Sequence, residues 1–462
     1  MSDVEIDEED EFEDIEQVLF QGPMYGREAD LKKNPRLVQA GLIPVKKLIT
    51  DGLSRRAHTI VVEPKGPRQV VRYTIDGIAY PAGVLPGKLG IAVIQMVKLL
   101  AGLDVQSRVT EQSGGILAEF DEQQYRLLVE TTPVRGAVER LRIRVSNVKD
   151  SFNAPGDIDF PEDLQAQVRD MTEDATGIIL SCGPPESGVT SLSMVVMHCV
   201  DSYLYSVYNV ADLGDQSLMN VSEVDAEEGA DLEIKLDRII RQEGDAVYVG
   251  QVNDPKEAQL LFDYSEKLCF IGEIDSKTPA EAVKQLIDWV GVDKVLANLK
   301  GVICQKLIRR LCDDCKQAFR PAPRLLKQLR LPPETTVLYR APQPPDPDDE
   351  DAPTVEELCA DCNGVPYHGR AAVYEFFEMT EPMREVIVEG GNAIAIRKQM
   401  AEEKQRMLQQ DALRLVVNGT TSLEELRRAF GGGGKGRPRG GGRGRPSGGG
   451  KGRPSKRRPR PQ

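Results

Sequence analysis

Residues 183–190 have the glycine spacing of a phosphate-binding loop but lack its cation. They read Gly-Pro-Pro-Glu-Ser-Gly-Val-Thr, whereas a functional loop reads G-x-x-x-x-G-K-[ST] between a strand and a helix. Val189 stands in place of the lysine that contacts the β- and γ-phosphates, and valine offers neither charge nor donor. Glu186 adds a carboxylate, which would repel a phosphate charge by about 4 kcal/mol at about 4 Å and an effective dielectric constant of about 20.

The remaining loop residues keep part of the phosphate-binding chemistry. Gly183 and Gly188 permit the turn, and Thr190 offers one hydroxyl group. We therefore expect a degenerate loop, formed by Gly183, Gly188, Val189 and Thr190, that binds ATP and Mg²⁺ weakly or not at all. An ordinary strand–turn–helix with two helpful glycines would explain the same residues.

Two cysteine pairs have the spacing of zinc ligands. Cys312 and Cys315 form one CxxC pair, Cys359 and Cys362 form another, and 43 residues separate the pairs. Each pair can place two thiolates on a tight turn, and together they complete a tetrahedral four-sulfur site. The sequence predicts a structural Zn²⁺ with no open coordination position. The alternative is a set of reduced thiols without metal.

The segments around the loop predict an α/β fold. Residues 177–182 form an apolar run typical of a buried strand, and a helical stretch follows from Thr190. Residues 246–249 and 268–271 predict two more buried strands. Strands that alternate with helices favour a parallel sheet covered on both faces.

A smaller α/β domain precedes this region. Residues 60–64 and 70–77 predict a hairpin, with an Asp-Gly turn signal after the second strand. Residues 89–103 are apolar at helical spacing, and residues 125–129 and 141–145 predict further strands.

Several segments, in order and from about Ile43 to Leu426, resemble the ATPases that power type II secretion and type IV pilus assembly. Residues 241–254 are similar to the family's R-Q-D-P-D-x-x-x-x-G-E-x-R-D, and residues 299–315 to its L-x-G-V-x-x-Q-R-L-x-R-x-L-C-x-x-C. The other matching segments are residues 359–362 (C-x-x-C), 367–370 (Y-x-G-R), 374–375 (Y-E), 61–64 (I-x-x-E-P) and 73–77 (within R-Y-R-x-D-G). The resemblance implies a RecA-like P-loop NTPase core with a smaller N-terminal α/β domain and a tetracysteine zinc module.

The departures from the family pattern fall on residues that carry chemistry. Gln251 replaces the family's catalytic glutamate, and glutamine can hold a water but cannot act as a base. Asn253 and Thr74 replace arginines, and residues 272–277 lack the family's histidine. Asp245 matches the family's aspartate, so Gln251 and Asp245 are the degenerate catalytic positions.

Composition and motifs divide the chain into six parts. We predict an acidic disordered arm (1–35), an N-terminal α/β domain (36–155), the degenerate core (156–310), the zinc module with a Pro/Asp-rich loop (311–380), C-terminal helices (381–430) and a basic Gly/Arg/Pro-rich disordered tail (431–462). Residues 18–23, in the predicted arm, match the core of a viral protease site used for tag removal, which is either a cloning remnant or a coincidence.

The charge of this 462-residue chain is distributed unevenly. The net charge is −14, yet residues 431–462 contain eleven basic and no acidic residues, and residues 1–17 contain ten acidic and no basic ones. The tail repeats an R/K-G-R-P core typical of AT-hook peptides, with Arg437, Arg443, Arg445 and Arg453 as the candidate contacts to a DNA minor groove. A polycation that binds DNA, RNA, anionic lipid or the acidic arm without specificity would look the same.

The leading hypothesis is a catalytically degenerate homologue of the secretion motors, acting as a structural or regulatory subunit. Its expected partners are a homo- or hetero-hexameric ring with an active paralogue and a cytoplasmic membrane platform protein. Because no apolar run reaches about 18 residues, we expect a cytoplasmic protein that is peripheral at the inner membrane. The alternatives are a nucleic-acid-binding protein that uses the tail, and a slow ATPase or nucleotide sensor.

Overall fold

The computed structural model describes residues 16–134, 138–149, 154–213, 218–224, 229–342, 359, 361–362 and 364–431. The first fifteen residues, most of the Pro/Asp-rich loop and the basic tail lie outside these ranges. What the sequence predicts for these segments, including the role of the four tail arginines, therefore stays a prediction.

The N-terminal domain is a seven-stranded antiparallel sheet with two helices on one face. The strand order is β1-β5-β6-β7-β2-β3-β4. The helices pack on each other and supply apolar side chains to a core that the inward-facing residues of the strands complete. Its elements are β1 (Leu19–Pro23), α1 (Pro35–Ser54), β2 (Thr59–Lys65), β3 (Arg68–Ile75), β4 (Ile78–Pro86), α2 (Gly87–Leu100), β5 (Gln112–Phe120), β6 (Gln123–Val134) and β7 (Val138–Asn147).

The prediction of a disordered arm over residues 1–35 is wrong for its second half. β1 pairs antiparallel with β5, and Val18 is fully buried with its amide donating to Thr50 Oγ1 at 3.0 Å. Of residues 18–23, which match a viral protease site, Leu19–Pro23 are thus an edge strand of the domain. A short strand is easily missed in sequence because its partner, β5, lies about a hundred residues away.

The second domain is built on a sheet of order β10-β9-β11-β12-β8-β13-β16, parallel except for β16. The strands expected at residues 177–182, 246–249 and 268–271 are all present. The elements are α3 (Glu162–Thr172), β8 (Gly177–Cys182), α4 (Val189–His198), β9 (Val207–Asn209), β10 (Ser222–Glu223), α5 (Leu232–Arg241), β11 (Ala246–Val252), α6 (Pro255–Tyr264), β12 (Cys269–Ile274), α7 (Pro279–Val290), α8 (Val292–Asn298) and β13 (Leu299–Leu311).

The C-terminal part returns to the same sheet before it becomes helical. β16 lies at the end of residues 311–380, the range predicted to be a separate zinc module, yet it pairs with β13 along most of its length. The core sheet therefore extends past residue 310. The remaining elements are β14 (Gln317–Phe319), α9 (Pro323–Leu329), β15 (Leu338–Arg340), β16 (Tyr367–Glu378), α10 (Glu381–Val388), α11 (Ala393–Glu402), α12 (Leu408–Val417) and α13 (Leu423–Phe430).

A carboxylate without a hydrogen bond lies inside this sheet. Glu375 of β16 is fully buried, and neither of its oxygens has a hydrogen-bond partner among the described residues. Burial raises its pKa, which Arg397 and the Leu408 amide offset only in part. Folding therefore shifts this carboxyl group toward its protonated form relative to the unfolded chain.

We predict that Glu375→Gln stabilises the protein, and more so at high pH. A raised folded pKa means that the stability contributed by protonation is complete below the unfolded pKa and is lost as pH rises through the folded pKa. Removing the buried charge should raise the free energy of unfolding by about 1–3 kcal/mol at pH 8, and by less at pH 4.5. Denaturant titrations at both pH values measure this. The exposed Glu389→Gln is the control, and equal effects of the two variants would contradict the prediction.

Candidate functional site

The degenerate loop connects β8 to α4 and is tightly packed. Gly188 has φ +78°, which favours glycine. A Cβ on Gly183 would lie 2.4 Å from Ser187 Oγ and 2.5 Å from the Gln305 carbonyl oxygen. Both glycines singled out in the sequence are thus required by the turn itself.

Gln305 of β13 holds the loop through hydrogen bonds to two of its backbone carbonyl groups. Its Nε2 donates to the Ser187 carbonyl at 2.7 Å and to the Gly188 carbonyl at 3.1 Å. The side chain is almost fully buried. This contact was not predicted, because it depends on the pairing of β13 with β8, and the sequence gives only the glutamine within a family-like segment.

Glu186 turns away from the loop and pairs with the other domain. Its Oε1 lies 2.6 Å from Nη2 of Arg142, on β7 of the N-terminal sheet. Glu186 adopts φ +62°, an uncommon conformation for a residue with a side chain. The carboxylate therefore has an internal cation, so the charge that would repel phosphate also links the two domains.

Val189 and Thr190 begin α4, and neither side chain carries a charge. A methyl of Val189 lies close to Gly183. The Thr190 hydroxyl donates to Glu273 of β12 at 3.1 Å, and Glu273 also accepts from the Tyr248 hydroxyl at 3.2 Å. Burial raises the pKa of Glu273, while these two hydrogen bonds lower it in part. The hydroxyl expected to contact Mg²⁺ is thus occupied by a buried acid that sequence reasoning did not assign.

The structure separates the two residues named as degenerate catalytic positions. Gln251, at the end of β11, is exposed and pairs in register with Glu273, so it lies at the loop end of the sheet. Asp245 precedes the opposite end of that strand, where its carboxylate accepts from the Ser206 amide at 2.7 Å. Asp245 therefore supports the start of the strand and is not part of the loop site.

A cleft between the domains opens beside the loop. Its volume is about 440 Å³, and its walls include Gly188, Arg56, His58 and Arg370. Nε of Arg56 and Nε2 of His58 are buried without hydrogen bonds, and burial lowers the pKa of the Arg370 guanidinium, which the charges of Asp76 and Glu186 oppose. Burial, followed by the charge of Arg370, lowers the pKa of His58. Three carboxylates, Asp76, Asp157 and Asp159, also line the cleft, and Asp76 lies 3.6 Å from Arg56.

The four predicted metal ligands come together. The sulfur atoms of Cys312, Cys315, Cys359 and Cys362 all lie within 4.8 Å of one another. Cys312 and Cys359 are 3.6 Å apart, and Cys315 and Cys362 are 3.7 Å apart. Tetrahedral zinc with Zn–S bonds of about 2.3 Å requires sulfur separations of about 3.8 Å, so the donor set and its dimensions fit Zn²⁺.

A carboxylate borders this cysteine cluster. Asp361 accepts from Cys312 at 3.1 Å and lies 2.8 Å from Nδ1 of His368. Burial, with the Asp361 contact, raises the pKa of Cys312 to about 12. That thiol would lose its proton readily only to a bound cation. His368 contacts Asp361 and lies outside the four-sulfur set.

Comparison with known proteins agrees with this architecture. The fold is similar to that of the Legionella pneumophila ATPase DotB, with a TM-score of 0.53 and 12% identity over 85% of this chain and 96% of that one. The chain belongs to the type II/IV secretion system protein family, whose model matches residues 39–428.

Two curated relatives cover the same region of the chain. The type IV pilus assembly ATPase PilB of Thermus thermophilus is 26% identical over 83% of this chain, which spans 42% of that protein. The type II secretion system protein E of Xanthomonas campestris is 25% identical over 83% of this chain, which spans 66% of it. The chain thus spans about half to two thirds of their lengths.

Within the described residues, every helix is too short or too polar to cross a bilayer.

We predict that the purified protein carries one zinc ion per chain and that Cys359→Ser loses it. Removing one of four thiolates should lower the metal content at least about tenfold and reduce the melting temperature. Elemental analysis and thermal scans measure both. Cys199→Ser, at a buried cysteine outside the cluster, should keep the metal. Full metal content in Cys359→Ser would rule out the site.

Proposed function

We propose that this protein is a subunit of a type II secretion or type IV pilus-like machine that does not hydrolyse ATP and acts structurally or as a regulator. The observation that carries the proposal is the state of the loop. A valine replaces its cation, and its added carboxylate is paired with Arg142 of the N-terminal domain.

The chemistry needed for hydrolysis is missing at several positions. No lysine faces the phosphate position, and Thr190 donates to Glu273 instead of being free for Mg²⁺. Gln251 cannot accept a proton from water. Without these groups, the charge that develops in the transition state of phosphoryl transfer is not stabilised. The carbonyl groups of Ser187 and Gly188, in contrast, accept hydrogen bonds from Gln305 within the fold.

In this role the protein would join or regulate a hexameric ring that contains an active paralogue, or bind the cytoplasmic membrane platform of such a machine. It would work in the cytoplasm at the inner membrane, with the four cysteines holding a structural Zn²⁺. Zinc would offset half of the charge of the four thiolates and hold the start of β14 against the segment that leads into β16. Family membership and the retained two-domain fold support this role.

A second candidate is a nucleotide sensor, which the interdomain cleft favours. Arg56 and Arg370 present guanidinium groups, and His58 an unpaired Nε2, beside the N-terminus of α4. An anionic ligand could satisfy these groups without the loop lysine. The third candidate, nucleic-acid binding by Arg437, Arg443, Arg445 and Arg453, rests on the sequence of the tail alone.

We predict that ATP with Mg²⁺ binds the wild-type protein no tighter than about 1 mM, and that the double variant Glu186→Gly/Val189→Lys binds at least about tenfold tighter. Glu186→Gly removes a repulsion, and Val189→Lys adds a positive charge near the phosphates. A tenfold change in the dissociation constant corresponds to about 1.4 kcal/mol. Calorimetry on the full chain measures both affinities. The charge-matched Glu389→Lys should leave binding unchanged.

Micromolar binding by the wild-type protein would contradict this prediction and favour the sensor. Arg370→Gln then decides between sites, because it should abolish binding in the cleft and spare binding in the loop. Asp245→Ala is unsuitable as a catalytic test, since it removes the support of the Ser206 amide.

We expect the protein to bind an active ATPase of the same machine and to change that enzyme's turnover without turnover of its own. Co-sedimentation with the active paralogue and a phosphate-release assay on each protein and on the mixture measure this. Phosphate release by this protein alone, above that of a Thr190→Val variant, would exclude the inactive role. Absence of any complex with the paralogue or the platform protein would exclude the subunit role.

A further inference from the structure

One face of the N-terminal sheet is rich in arginine although the protein as a whole is acidic. On β7, Leu141 and Ile143 point into the core, so Arg140, Arg142 and Arg144 project from the opposite face. Val61 of β2 pairs with Arg72 of β3 on one side and with Arg142 of β7 on the other. Arg72 therefore lies on the same face as Arg142. Arg126 of β6 pairs with Ser146, which is two residues beyond Arg144 on β7, so Arg126 also lies on this face. We call these five residues the arginine face.

The carboxylates on this face do not balance its charge. Glu63 contacts both Arg72 and Arg140, at 2.9 and 2.6 Å, and Glu130 contacts Arg144 at 2.6 Å. With Glu186 on Arg142, three carboxylates serve five guanidinium groups. The remaining member, Arg126, has no hydrogen-bonded or ion-paired partner among the described residues. Two positive charges are therefore uncompensated.

The acidic N-terminal segment starts close to this face. The structure describes the chain from Glu16, and the fifteen residues before it contain nine acidic and no basic side chains. Leu19, on the edge strand β1, pairs with Glu119 of β5, which pairs with Gln124 of β6. The segment thus leaves the sheet at the level of Gln124, and Arg126 follows two residues later on β6.

The distances allow the segment to cover the arginines. Three strand spacings of about 4.8 Å separate β1 from β7, a total of about 14 Å. Fifteen extended residues span up to about 50 Å. Attachment at β1 also holds the segment at a high effective concentration near the face. At the exit, Glu119 of β5 lies on the same face of the sheet as Arg126, between β1 and β6, so the segment passes this carboxylate before it reaches the arginines.

We propose that residues 1–15 dock on the arginine face of the same chain through charge complementarity. The carboxylates of the segment accept from Arg126 and Arg144 first, because these arginines lie nearest its attachment. Further along the face the segment meets Arg142, where it competes with Glu186. The N-terminal segment is thereby a ligand for the surface that also holds the degenerate loop.

Cleavage of the full chain by a glutamate-specific protease tests this proposal. Residues 1–15 contain five glutamates, which docking protects. At low salt, Arg126→Gln/Arg144→Gln should release N-terminal fragments about fivefold faster than the wild-type protein does, as intact mass spectrometry will show. Arg36→Gln/Arg324→Gln makes the same charge change at exposed positions outside the face, and it should match the wild type.

Salt and truncation give independent readouts. Sodium chloride at about 0.5 M should raise the wild-type rate to that of the Arg126/Arg144 variant, because it screens the attraction. Equal rates for that variant and the wild type at low salt overturn the proposal. Loss of protection on removing residues 432–462 overturns it in favour of the basic tail as the partner. Protection that grows with protein concentration overturns it in favour of a second copy.

Discussion

The register between β8 and β13 is the constraint on which the rest of the second domain depends. It sets Cys304 opposite Cys182 at the last residue before the loop, so that Gln305 reaches the two loop carbonyls. The same strand continues to Arg309, whose side chain binds the buried Glu425 of α13. It ends next to Cys312, the first cysteine of the cluster. A slip of one residue would move all of these side chains to the other face.

The charge at the loop is paired within the protein. The loop carries a carboxylate, Glu186, and this anion is paired with Arg142 from the other domain. Thr190 and Glu273 likewise satisfy each other. The pairing matters most for the buried Glu273, because an unpaired buried polar group would cost about 1–3 kcal/mol, whereas the half-exposed Glu186–Arg142 pair contributes about 0–1 kcal/mol.

Local sequence patterns predicted the strands next to the loop, the hairpin and the helix from Thr190. They also predicted the four cysteines as one cluster, since CxxC spacing is a property of the chain itself. The contacts of Gln305, Glu273 and Arg142 could not be predicted, because each joins residues that are far apart in sequence and depends on strand order. The place of β16 in the core sheet was missed for the same reason.

The edge strand β1 gives a way to follow local opening of the N-terminal domain. Proteases bind their substrates as extended, unpaired segments, whereas residues 18–23 are hydrogen-bonded to β5 and anchored by the buried Val18. A viral protease that recognises this sequence can therefore cut only molecules in which the strand has detached. Its cleavage rate in native buffer would report the free energy of that detachment. For the same reason, removing a purification tag with this protease would risk slow loss of the strand.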